Sequence, residues 1–122
     1  MEASRKEVLA AAGINLEEVL ERLMGSETLL ERLLGKFAAD GTYRRLEEAM
    51  AARDLEGAIA ASHTLKGMCG NLGMGELFSL FTRQVEALRQ GDWPAACQRM
   101  EEIAPAYGAM IQAIGGPDDG GR

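Results

Sequence analysis

Apolar residues in this chain recur at the spacing of one helix face, segment after segment, with short glycine-marked breaks between segments. In ETLLERLLGKFAAD, Leu30, Leu33, Leu34 and Phe37 follow an i, i+3, i+4, i+7 pattern, with Leu29 beside them; that pattern defines an amphipathic helix. No segment alternates apolar and polar residues in the manner of a strand. The connections are only a few residues long, which forces neighbouring helices to run antiparallel. The expected fold is therefore all-α: an up-and-down antiparallel four-helix bundle with one or two short extra N-terminal helices. At 122 residues the chain holds one domain, expected over 1–114. The Gly-rich end, 115–122, is expected to be disordered.

Helix starts are marked by side chains that can accept from free backbone N–H groups. Ser4 with Glu7, and Asn15 with Glu18, have capping-box spacing. Ser26, Asp54 and Asp92 stand at the heads of later segments, and Gly13, Gly25 and Gly91 at segment ends. Gly41 interrupts or bends the first long helix before TYRRLEEAMAAR resumes it. Pro94 is tolerated in a first turn, whereas Pro105, inside the last segment, is expected to kink or split it.

The formal net charge is -6. An acidic chain without a Lys/Arg stripe is a poor nucleic-acid binder, and anionic lipid surfaces repel it. MEASRKEVLA lacks a basic region followed by an apolar core, so no signal peptide is expected. No apolar run approaches the span of a bilayer. Cys69 and Cys97 form no CxxC pair and suggest reduced thiols in a cytoplasm. The starting Met and loose end favour a freestanding chain, and one accessible histidine is enough for a monomer to work.

The chain has a single histidine, His63. On a wheel of the helix from Asp54 to Leu72, Ala58, Ala61, Leu65, Met68 and Leu72 gather as the core face, and His63 points away from it. Its surface neighbours are Glu56, Ile59, Ala60, Lys66, Gly67 and Gly70. A core histidine is disfavoured by that direction. An ordinary surface histidine leaves the glycines unexplained, since two mid-helix glycines give up roughly 2 kcal/mol relative to alanine. Lined up with His63, they clear side chains from around the imidazole, as the approach of a second protein requires. Lys66, one turn on, can offset the charge of a phosphoryl group. Alone it is an ordinary solvated lysine; beside His63 it gains weight. An unprotonated imidazole nitrogen is a competent nucleophile near pH 7, and phosphoryl transfer asks mainly for positioning and charge neutralisation.

His63-Thr64-Leu65-Lys66-Gly67, continuing Met68-Cys69-Gly70-Asn71-Leu72-Gly73, resembles the signature of histidine-containing phosphotransfer domains. AGINLEEVLERLMGSETLLERLLGKF and ARDLEGAIAASHTLKG fit the same family, so the likeness spans roughly Ala11 to Gly91. It implies a four-helix bundle that shuttles phosphoryl groups between receiver-domain aspartates of response regulators and hybrid histidine kinases. It also implies His63 as phosphoacceptor, Lys66 as the phosphoryl-facing cation, and Ala60, Gly67 and Gly70 as the clearing for the receiver. No cofactor is implied, and any Mg2+ is expected in the receiver. In the family a polar side chain on the next helix can hydrogen-bond the second nitrogen of the histidine. Here Gln84 lies within an apolar stripe and Val85 follows. Gln84, Ile59 and Asn71 are therefore candidates for supporting the imidazole or edging the docking face, and a core glutamine bonded to backbone is at least as good a reading of Gln84. Phe78 and Val85 form either a small apolar docking patch or part of the core.

Other functions fit less well. A histidine-kinase dimerisation domain usually has an acidic residue after the histidine and a proline shortly beyond; here Thr64 follows and no such proline does. A metal site fails on ligand count, with Cys69 well off the His63 face. Ser62 and Thr64 point away from His63, against a hydrolase. A non-catalytic helical adaptor is the serious alternative, and it leaves the cleared patch unexplained.

Overall fold

The computed structural model describes residues 1–115, so the expectation of a disordered end from residue 116 on lies outside the described residues. Seven helices follow in order among them: α1 (Ala3–Ala11), α2 (Leu16–Arg22), α3 (Glu27–Ala39), α4 (Thr42–Ala52), α5 (Leu55–Asn71), α6 (Gly75–Arg89) and α7 (Trp93–Ile114). α4 packs on α5, α5 on α6 and α6 on α7, across connections of two or three residues, so the described residues form an all-α bundle. α3 and α4 are the two halves of the first long segment, separated at Asp40–Gly41. The Asp40 carboxylate accepts from Thr42 N at 2.7 Å and restarts the helix; the Thr42 hydroxyl first, and then this backbone N–H, hold its carboxyl below the usual carboxylate range.

Four caps form as the sequence predicts. Asn15 accepts from Glu18 N, Ser26 from Leu29 N, Asp54 from Gly57 N and Asp92 from Ala95 N, at 3.0–3.1 Å. The Ser4 box does not form: Ser4 lies inside α1, whose N-cap Glu2 makes no side-chain cap bond. Tertiary ties replace it. Arg5 donates to Glu31 and to the carbonyls of Ala113 and Ile114, joining α1 to α3 and to the C-terminus of α7. The Met1 ammonium and Lys6 both pair with Glu27. Lys6 first, then the Met1 ammonium, hold the Glu27 carboxyl down at about 2, from an ordinary value of 4.5. A depressed acid contributes stability above its ordinary pKa and loses that contribution as pH falls through the folded value. Glu27→Gln is thus expected to unfold more easily than wild type above pH 4.5 and to converge on it toward pH 2. Denaturant midpoints across that range check this; a pH-independent difference contradicts it.

The core is aliphatic, built on fully buried Leu30, Leu34, Leu46, Leu65, Leu88 and Ile103 around Phe81. Each such side chain contributes about 1.5–3 kcal/mol by leaving water. Aromatics close the bundle: Tyr43 of α4 stacks on Tyr107 of α7 with centroids 3.9 Å apart, and Phe37 of α3 tilts against the same ring. Pro105 does not split α7, which runs unbroken through it. Pro105 and Glu101 are both exposed, so the proline and the residue whose carbonyl loses its N–H partner lie on the solvent side of the helix, which lowers the cost of an interior proline.

The buried stripe of α5 is rotated slightly from the one expected. Ala58, Ala61, Leu65 and Leu72 are buried, but Ser62 and Cys69 join them, and Met68 is only half-buried. The rotation is possible because the Ser62 hydroxyl has a buried partner, donating to Gln84 Oε1 at 2.8 Å. Gln84 Nε2 in turn donates to Ala96 O and approaches Met100 Sδ, each at 3.4 Å, so the network ties α5 to α6 and α6 to α7. Ser62→Ala is expected to cost about 1–3 kcal/mol by stranding a buried acceptor. Adding Gln84→Met should recover most of it, because removing both partners is nearly neutral. Equilibrium unfolding of the two variants decides this; an undisturbed Ser62→Ala contradicts the pairing.

Candidate functional site

α5 begins at the Asp54 cap and ends at Asn71, and His63 is its central residue. The residue before it is pinned in the core by Gln84, which fixes the rotation of the helix and turns His63 outward; its side chain is exposed. Ala60, Gly67 and Asn71 are also exposed, while Ile59, Lys66 and Gly70 are half-buried. Ile59 packs against the core. The structure thus places His63, Ala60, Lys66, Gly67 and Gly70 on one surface, as the wheel anticipated.

The two glycines have different reasons. A Cβ built on Gly67 meets nothing within 4 Å, so no packing within the protein excludes a side chain there. Gly35 and Gly108 are open in the same way on other helices; Gly67 differs in sharing its surface with the histidine and exposed Ala60. A Cβ on Gly70 would lie 3.0 Å from Phe78 Cδ1 and 3.1 Å from Cε1. Gly70 is therefore the seat of the Phe78 ring, which corrects its reading as bare clearing. Its carbonyl accepts from Arg22 Nη1 at 3.3 Å. Phe78 remains 39% exposed, whereas Val85 is buried and belongs to the core.

Gln84 does not support the imidazole. It is fully buried and its amide is engaged by Ser62, Ala96 and Met100, so of the two readings the core glutamine matches the geometry. The Ser62 hydroxyl, buried and donating to that amide, is not available as a nucleophile. Burial also pushes the Cys69 thiol up to about 12, away from a reactive thiolate. Asn71 lines a groove of about 500 Å³ between α2, α3 and α5, with an apolar wall from Leu23, Leu33, Phe37, Met68 and Leu72. Among the described residues no three His, Cys, Asp or Glu side chains stand together as a metal site. No helix among them is long and apolar enough to cross a membrane.

Phe78 and Ser62 are the site residues whose roles the sequence reading missed. Ser62 and Gln84 are each eleven residues from Gly73, and Gly70 and Phe78 each four from Met74. In an antiparallel helix pair joined by a tight turn, positions equidistant from the turn lie at one height. Two polar residues, or a glycine and an aromatic, at matched distances were the available signal.

What this surface can do follows from its parts: an accessible ring nitrogen for a covalent bond, a cation one turn away, and space for a second macromolecule. A family model described as Hpt domain matches residues 16–115. No curated protein and no solved structure matches the chain.

Proposed function

Because the chain belongs to the Hpt domain family, whose members are phosphoryl carriers that meet receiver domains in phosphorelays, we propose that His63 is its phosphoacceptor. It takes the group from the aspartyl phosphate of one receiver, in a response regulator or hybrid histidine kinase, and passes it to the aspartate of another. The unprotonated ring nitrogen attacks phosphorus; the P–N bond forms as the P–O bond breaks, and the electron pair leaves with the aspartyl carboxylate. No proton need move for that exchange. Lys66 faces the nonbridging oxygens and offsets their charge. Gly67 and Ala60 leave room for the receiver, which brings its own Mg2+. A monomer suffices.

The observation that carries this reading is the chain's one histidine standing exposed at the centre of α5, beside an open glycine that no internal packing explains. Incubation with phosphorylated receiver domains tests it. The expected product carries an acid-labile, alkali-stable label, the signature of a P–N bond. An alkali-labile label, or none from any receiver, overturns the reading.

A further inference from the structure

We propose that Phe78 is a positioning residue for the transfer, restraining the Lys66 ammonium on the surface it shares with His63; the proposal rests on the reading of His63 above. Phe78 is an aromatic left 39% exposed although its ring lies close against α5 at Gly70, where a Cβ would stand 3.0–3.1 Å from the ring. Lys66 Nζ lies over that ring, 5.8 Å from its centroid, within the roughly 6 Å over which a ring face attracts a cation. Among the described residues Lys66 has no carboxylate partner within 4.0 Å. The ring is therefore what restrains a side chain that otherwise sweeps a four-carbon stem through many rotamers.

A neutral aromatic suits this task better than a carboxylate. A glutamate at the same place would hold the ammonium more tightly, but would cancel its charge and repel the incoming phosphoryl dianion. The ring face restrains the cation and leaves its charge and its three donors available. In the displacement already written, Lys66 gives hydrogen bonds to the nonbridging oxygens and exchanges no proton. Phe78 touches neither phosphorus nor the imidazole and acts through Lys66 alone.

The test compares wild type, Phe78→Leu, Phe78→Tyr, Lys66→Met and the Lys66→Met/Phe78→Leu double variant. Each is labelled from a small donor, phosphoramidate, and from a phosphorylated receiver. Phe78→Leu is expected to slow both reactions by about two- to fivefold, the rate equivalent of an exposed cation–π contact. Phe78→Tyr should restore the rate, and Phe78→Leu should add nothing in the Lys66→Met background. Independently of phosphate, the Lys66 ε-methylene protons should carry an upfield ring-current shift in wild type that Phe78→Leu abolishes. Slowing with the receiver but not with phosphoramidate makes Phe78 a docking residue and overturns the proposal. So does an undiminished effect of Phe78→Leu without Lys66, or wild-type rates in Phe78→Leu. If wild type takes no label while the ring-current shift is present, the His63 reading has failed rather than the Phe78–Lys66 contact.

Discussion

Gly67→Leu is expected to slow transfer from a phosphorylated receiver by about 100-fold, the loss associated with displacing reacting groups by roughly 1 Å. The added Cβ enters open space, so no packing within the protein excludes the new side chain. It therefore projects from the surface that His63 and Ala60 share and holds the receiver away. The same change should leave labelling by phosphoramidate unaltered, because a small donor needs no docking face. It should also raise stability, by up to about 1 kcal/mol, as leucine is a far better helix former than glycine. Slower transfer in a more stable protein is the signature of a residue kept for contact rather than for folding. Receiver transfer at the wild-type rate would place docking on another face.

Gly70 provides the contrast. A Cβ there comes within 3.0–3.1 Å of the Phe78 ring, so its substitution must shift that ring by a few tenths of an ångström before any partner arrives. The two glycines look alike on a helical wheel because a wheel shows direction along one helix and nothing of the neighbour. The same blindness explains Gln84 and Ser62. Gln84 was placed within an apolar stripe, but Ser62 was left out of the core face, and their mutual hydrogen bond depends on the height at which two helices meet. With that height set by the turn around Gly73, a glutamine that resembled support for the imidazole became the anchor of the preceding serine.

Where the physics is local, sequence and structure agree. A cap needs one side-chain acceptor and a free N–H three residues on, and Asn15, Ser26, Asp54 and Asp92 all supply it. Ser4 has the same local credentials, but α1 is held by Arg5 across more than a hundred residues of chain, and distant ties outweigh one cap bond. The interruption at Gly41 was legible for a local reason too. The unbroken course of α7 was not, because a proline's effect depends on whether the freed carbonyl faces water or core. Direction is the easiest property to read from periodicity, and the exposure of His63 needed nothing more.

The central claim is that His63 carries the phosphoryl group, and its most direct test is label transfer to His63→Gln. The side chain is exposed and its helix is anchored through Ser62, so the substitution should change stability by no more than about 0.5 kcal/mol. Wild type and variant, matched for helicity, are incubated with the same phosphorylated receiver and split between acid and alkali. Wild type should hold an acid-labile, alkali-stable label, and His63→Gln should hold none. A variant that labels as well as wild type would contradict the assignment outright.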